Sequence, residues 1–214
     1  MNHMQARVLT PKIEIQEELA LFQRRKQIGL LGGNFNPVHQ AHLVAAEQVY
    51  QQLSLDQVHL MPTYEPPHVD EKQTIDAEHR LKMLELAIFG NRHLGIETIE
   101  LERGGKSYTY ETMKALKQNN PDTDYYFIIG GDMVEYLPKW SHIEELVTLV
   151  QFVGIRRPHY GVETPYPIMW VDVPQMDISS TSIRQQIQQG KSPRYLLPDP
   201  VLAYIQEKGL YLHE

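Results

Sequence analysis

The 214-residue chain has no cysteine. Disulfides, thiolate nucleophiles and cysteine-ligated zinc are excluded at once, and the composition suits a reducing cytoplasm, the expected location. No apolar run approaches the roughly 20 residues of a membrane-spanning helix, and no apolar stretch of secretory-signal type opens the sequence. Positive charge is also scarce: 20 Lys and Arg stand against 27 Asp and Glu, a formal net charge of -7. That balance argues against nucleic acid and against an anionic membrane as partners. Any anion bound here must be held by a local pocket. Tandem repeats and low-complexity tracts are absent. What is present is an ordinary globular composition, 42% hydrophobic and 22% charged, of a length that fits one domain with a short appendage.

Residues 1–26 read as that appendage, an N-terminal arm whose segment 12–26 has the pattern of an amphipathic helix. It is either a packed arm or a regulatory, partner-binding one. The domain proper occupies 27–214. Short apolar runs at 27–31, 57–61, 125–129, 150–155 and 169–173 predict strands, with a weaker one at 94–100. Between them, 41–53, 76–89, 109–119, 141–148 and 180–189 predict helices, and a last helix starts at Asp199-Pro200 and ends at Gly209. Strands alternating with helices, several apolar on both faces, indicate an α/β fold: a doubly wound parallel sheet of Rossmann-like type with a helical C-terminal end. Such sheets bind ligands beyond the carboxyl ends of their strands, where strand order reverses.

Two strings of residues fall at such places. The first, Gly32-Gly33-Asn34-Phe35-Asn36-Pro37-Val38-His39-Gln40-Ala41-His42, follows the first core strand and leads into a helix. Glycine lets backbone approach a ligand closely, and a helix start offers unpaired N–H groups and a positive dipole end to a phosphate. His39 and His42, three apart, can face one anion and donate N–H groups to it. Alone, the two histidines could also be a surface pair or half of a metal site, although no third ligand follows at a familiar spacing. The second string, Ile178-Ser179-Ser180-Thr181-Ser182-Ile183-Arg184, opens the penultimate helix. Its hydroxyls, N–H groups and Arg184 can form an anion cradle, or the serines can be an ordinary N-cap.

Together the two strings resemble the paired signatures of the nucleotidyltransferase superfamily related to class I aminoacyl-tRNA synthetases. Within it, residues 27–211 are most similar to the bacterial nicotinate-mononucleotide adenylyltransferases. Met61-Pro62 with Pro66-Pro67-His68, Ser107-Tyr108-Thr109-Tyr110-Glu111-Thr112, Ile129-Gly130-Gly131-Asp132-Met133, Leu137-Pro138-Lys139-Trp140 and Arg156-Arg157-Pro158 all resemble segments of that family. Three positions depart from its usual pattern: Asn34 and Asn36 replace a more frequent Thr or Ser and Asp, and Val69 stands where a Lys usually follows the Pro-Pro-His. Lys72 is the candidate replacement.

The resemblance implies adenylyl transfer from ATP to nicotinate mononucleotide. His39, His42 and Arg184 become the catalytic candidates, with His42 at the α-phosphate, where charge builds. Gly32, Gly33, Asn34, Phe35, Gly130, Asp132, Ile178, Ser180 and Thr181 complete the implied ATP site. Thr109, Tyr110, Trp140 and Arg157 are the implied acceptor residues, with Trp140 stacking on the pyridine ring. Each has a plainer reading: Trp140 as a half-buried anchor, Asp132 as a helix cap, Arg156 and Arg157 as solvated charges. No dedicated metal ligands are expected; Mg²⁺ rides on the triphosphate. A homo-oligomer is compatible with this reading. The alternatives are a phosphopantetheine adenylyltransferase, whose acceptor lacks the aromatic ring that Trp140 would serve, and a non-catalytic nucleotide sensor.

Overall fold

The computed structural model describes residues 24–65, 74–156 and 164–212. Most of the predicted N-terminal helix, with Pro66-Pro67-His68, Val69, Lys72 and Arg157-Pro158, lies outside the described residues.

Six strands form one all-parallel sheet in the order β3-β2-β1-β4-β5-β6: β1 Lys26–Gly33, β2 Gln57–Pro62, β3 Leu94–Ile96, β4 Thr123–Gly130, β5 Gln151–Arg156 and β6 Ile168–Asp172. Helices α1 Gln40–Leu53, α2 Ala77–Ile88, α3 Ile99–Arg103, α4 Thr109–Asn119, α5 Gly131–Val134, α6 Ile143–Leu149, α7 Ser180–Gln188 and α8 Asp199–Lys208 connect or follow them, with a 3-10 turn at Leu137–Lys139. Parallel neighbours need crossovers, and helices α1 to α6 supply those that lead from β1 to β5. Alternation along the central strands feeds two cores. Leu31 and Ile128 join the residues of α1, α2, α7 and α8 on one face, while Ile28, Leu30, Tyr125, Phe127 and Ile129 join those of α4 and α6 on the other. The expected doubly wound sheet is therefore the observed one.

The helix predicted over 76–89 is α2; it buries Arg80, Met83 and Leu84 and packs Leu86, Ala87 and Ile88 against the same core. One element differs from expectation. The run 94–100 is a strand only at Leu94–Ile96 and then turns into α3. The Glu97 carboxylate accepts the Ile99 N–H at 3.1 Å, capping a helix where strand pairing stops.

Strand order runs outward through β2 and β3 on one side of β1 and through β5 and β6 on the other side of β4. The reversal lies between β1 and β4, which pair directly, Leu31 against Ile128. Their carboxyl ends are Gly33 and Gly130, so the switch point falls where the first string begins and the third segment turns.

Candidate active site

From β1 the chain runs through an irregular loop into α1, and that loop is held from several sides. Phe35 occupies the left-handed region (φ 49°) yet is almost wholly buried. Such a conformation costs a non-glycine residue of order 1 kcal/mol or more, offset here by packing of the ring edge-on against His42 at 4.9 Å. The ring is thus committed to the core, and only the backbone of Phe35 remains for a nucleotide. A side chain at Gly33 would crowd the loop: a Cβ there would lie 3.1 Å from the Phe35 ring, which would have to shift.

His39 is the N-cap of α1, and His42 sits on its first turn. Their rings stack, with centroids 3.7 Å apart and planes 20° from parallel. The His39 backbone N–H donates to His42 Nδ1 at 3.2 Å. An accepting Nδ1 leaves the proton of the neutral ring on Nε2, as a donor. Burial pulls the His39 imidazole from its ordinary 6.5 to about 4. Burial, and then the neighbouring His39, hold His42 well below the ordinary value too. Both rings are consequently neutral near pH 7. His39 Nδ1 is buried and has no hydrogen-bond partner. Orphaned buried polar atoms cost roughly 1–3 kcal/mol, and sites that bind polar ligands are where they are tolerated.

The second string meets the first directly. Ser179 caps α7, its Oγ accepting the Ser182 N–H at 3.1 Å. The Ser180 hydroxyl donates to the Pro37 carbonyl at 2.8 Å, and Arg184 Nη1 donates to the Asn36 carbonyl at 2.9 Å. Tyr211, from the end of the described chain, donates its hydroxyl to Asn36 Oδ1 at 2.8 Å. Sequences about 140 residues apart thus form one structure at the switch point. Within it, the Ser180 side chain is a tie between loops, while Thr181 is exposed at the helix start and Ile178 is half-buried. N–H groups in the first turn of α7 and the dipole of this nine-residue helix face the same region as α1.

At the end of β4, the exposed Asp132 lies on the first turn of α5 and makes no capping hydrogen bond. Its carboxylate folds back against the strand: a Cβ on Gly130 would be 2.5 Å from Asp132 Oδ1. Beyond it, Trp140 is half-buried, edge-to-face with Phe127 and Phe152 at 6.0 Å each. It is an anchor on the β4–β5 face and still partly open. The N–H groups of Lys139 and Trp140 are spent on Tyr136 and Leu137 carbonyls, so they are not available to a ligand. Those at the start of α4 are: Thr109 is its first residue, half-buried, and Tyr110 follows. Tyr110 stacks on His142 at 4.7 Å. Ser107, by contrast, works as structure: its hydroxyl accepts the Tyr64 N–H at 3.0 Å and its N–H donates to Glu65, which fastens the loop after β2 to the segment before α4. Arg156 is an exposed charge, as its plainer reading has it: its Nε lies 3.7 Å from the exposed Asp172 Oδ1 and its guanidinium 5.8 Å from the Trp170 ring.

Sequence reasoning missed Arg80. This arginine of α2 is fully buried, and its Nη1 donates to the Asn34 carbonyl at 3.0 Å, to Asn34 Oδ1 at 3.2 Å and to the Thr63 carbonyl at 2.7 Å. The signal was in its spacing, since it stands three and four residues before the buried Met83 and Leu84, on the apolar face of the helix. Among the described residues no group of three or more His, Cys, Asp or Glu side chains could hold a metal ion, and no helix is long and apolar enough to cross a membrane.

With this geometry in place, comparison with known proteins is informative. The cytidylyltransferase-like family profile matches residues 30–186. A probable nicotinate-nucleotide adenylyltransferase of Enterococcus faecalis is 72% identical over 200 residues, which cover 94% of this chain and 91% of that one. The similarly described protein of Streptococcus pneumoniae is 64% identical over 210 residues, covering 97% and 100%. Among solved structures, the Plasmodium falciparum nicotinic acid mononucleotide adenylyltransferase complexed with NaAD superposes with a TM-score of 0.72 at 20% identity, covering 87% of this chain and 97% of that one. A putative nicotinate-nucleotide adenylyltransferase of Vibrio parahaemolyticus gives 0.66 at 21%, covering 88% and 97%. At such identities the structures speak for the fold. The chain belongs to the cytidylyltransferase-like family and, within it, to the nicotinate-nucleotide adenylyltransferases.

Proposed function

We propose that the protein transfers the AMP moiety of ATP to nicotinate mononucleotide, forming deamido-NAD and pyrophosphate, with the residues at the β1–β4 switch point as its site. An oxygen of the acceptor phosphate attacks the α-phosphorus; the bond from that phosphorus to the bridging oxygen breaks, and pyrophosphate leaves with the electron pair. The nucleophile is already ionised, so the protein's work is positioning and stabilisation of charge. The observation that carries the reading is the stacked His39–His42 pair at the start of α1, tied through Asn36 and Pro37 to Ser180 and Arg184 of α7.

On this reading His42 Nε2–H donates to the α-phosphate and His39 to the neighbouring phosphates. Arg184, Thr181 and the first turn of α7 take the leaving pyrophosphate. The backbone of Gly32, Gly33, Asn34 and Phe35 lies along the triphosphate. Gly130 and Asp132 meet the nucleoside, with Ile178 beside it. ATP enters as its Mg²⁺ complex, because imidazole pairs suit a hard cation poorly and triphosphate oxygens suit it well. Trp140 stacks on the pyridine ring of the acceptor, and the ring carboxylate meets the N–H groups that open α4 at Thr109 and Tyr110. A cytoplasmic location belongs to the same proposal.

The acceptor is tested by kcat/KM for nicotinate and nicotinamide mononucleotides at saturating ATP and Mg²⁺. A pocket of backbone donors accepts a carboxylate and leaves the N–H₂ group of a carboxamide facing donors. An unpaired buried polar group costs roughly 1–3 kcal/mol, so the acid should be preferred about tenfold to a few hundredfold. Equal values, or a preference for the amide, would overturn the acceptor while leaving adenylyl transfer standing.

A further inference from the structure

Arg80 is the largest fully buried side chain in the described protein, and it makes no ion pair there. A guanidinium taken out of water without a carboxylate is costly, and natural proteins keep one only where other polar groups compensate. Here one nitrogen, Nη1, serves three oxygens on two different loops. Two belong to Asn34, just past the end of β1, and the third is the carbonyl of Thr63, just past the end of β2. Those strands are register neighbours, Gly33 opposite Pro62, and Thr63 N–H closes the same bridge by donating to the Gly33 carbonyl at 3.0 Å. The Asn34 side chain is pinned at its other end, its Nδ2 donating to Thr74 Oγ1 at 3.0 Å. The Arg80 Nε is buried and unpartnered.

We propose that Arg80 is a positioning residue for ATP: from inside the core it fixes the Asn34 peptide and side chain between β1, β2 and Thr74, and thereby sets the path of the nucleotide-facing loop that leads to His39. The inference rests on the proposed placement of ATP along Gly32 to Phe35. It makes Asn34 part of an internal clamp as well as a loop residue. It also explains an arginine at a core position of α2, where a leucine would pack without the electrostatic cost.

The test compares Arg80→Met and Arg80→Lys with the wild type. Methionine keeps the apolar stem and removes every donor. Lysine brings three donors on one nitrogen, on a chain one bond shorter. Steady-state constants for both substrates are measured per folded protein, with MgATP binding by calorimetry and thermal midpoints alongside. For Arg80→Met, kcat/KM for ATP should fall roughly 100-fold while the KM for nicotinate mononucleotide stays within about twofold. Arg80→Lys should recover about tenfold of that loss. A merely structural role would lower the melting temperature of Arg80→Met and leave the ATP constants of the folded fraction unchanged, and that result overturns the proposal. So does an equal shift in both substrates' constants. If Arg80→Met does not fold, Arg80→Lys decides: wild-type ATP constants in it refute the clamp. Failure of the functional reading looks different, because then the wild type itself releases no pyrophosphate from the two substrates, and calorimetry of MgATP on the variants still reports on Arg80.

Discussion

Replacing His42 separates two jobs that the proposed function gives to one imidazole. Its Nδ1 accepts the His39 backbone N–H at 3.2 Å, and in the proposed function its Nε2–H donates to the α-phosphate. Alanine removes both. Asparagine can keep the first, because its Oδ1 falls near the position of Nδ1, but it has nothing at Nε2. Glutamine reaches the Nε2 position with an amide N–H. Losing one preorganised donor to developing charge costs on the order of 100- to 1000-fold in kcat, about 3–4 kcal/mol. Losing the cap costs only about 1 kcal/mol, and in stability. We therefore expect His42→Ala and His42→Asn to lose about 100-fold or more in kcat, with ATP affinity within about threefold of wild type. His42→Asn should melt nearer the wild type than His42→Ala, and His42→Gln should retain about tenfold more turnover than His42→Asn. Pyrophosphate release under saturating substrates gives kcat, and calorimetry gives ATP affinity. If His42→Asn turned over within about threefold of wild type, or if affinity fell as far as kcat, His42 would not be the donor that acts on the transition state.

Trp140→Ala should raise the KM of the pyridine nucleotide several-fold, since stacking is worth about 0.5–1.5 kcal/mol beyond area, and should also lower the melting temperature, because the ring packs against Phe127 and Phe152; parallel shifts in the ATP constant would make it an anchor alone. Acidification should destabilise the free protein through His39. Its folded pKa of about 4 lies below the ordinary 6.5, so the unfolded chain binds the extra proton, and stability is whole above pH 6.5 and declines as pH falls towards 4, by about 3 kcal/mol in all. Denaturant midpoints from pH 7.5 to 4.5 should fall less steeply in His39→Gln than in wild type, and identical slopes would refute the assignment. Removing residues 1–24 should leave an active enzyme, because both strings and every segment of the proposed site lie after Gln27 and terminal segments often tolerate loss; an insoluble or inactive truncation would show that the arm completes the core.

How far the sequence could be read depended on the kind of interaction. Sheet type followed from apolar runs on β1, β4 and β5, each of which buries at least three consecutive residues and so both of its faces. The two strings were visible because helix starts have local chemistry. Their meeting was not, because it is made by the Ser180 hydroxyl and the Arg184 guanidinium reaching main-chain carbonyls of Pro37 and Asn36, and carbonyls have no letter in a sequence. Arg80 escaped for the same reason: all its partners except Asn34 Oδ1 are backbone oxygens. The Lys139 and Trp140 N–H groups are used inside their own 3-10 turn, which the sequence does not display. Such local closure decides which donors a loop can offer, and it depends on turn geometry rather than composition.

An acidic protein that handles a triphosphate must attract charge locally without storing much of it. On the proposed placement of ATP, the stacked histidines do so. At 3.7 Å two imidazolium rings would repel strongly, and burial disfavours even one. In the free protein the pair is therefore neutral, and among the described residues of the two strings the formal positive charge is that of Arg184, with Arg80 below the loop. Neutral N–H donors bind a ground-state phosphate only moderately. As charge moves onto the phosphoryl oxygens in the transition state, the same hydrogen bonds strengthen, and a ring beside the growing negative charge becomes more basic. The interaction is then larger in the transition state than in the bound substrate, which is the condition for raising kcat rather than only tightening ATP. A permanently charged pair would hold ATP and departing pyrophosphate more tightly and gain less from the reaction itself. Burial of His39 and His42, which costs stability at low pH, is on this argument what makes them selective for the moment of transfer.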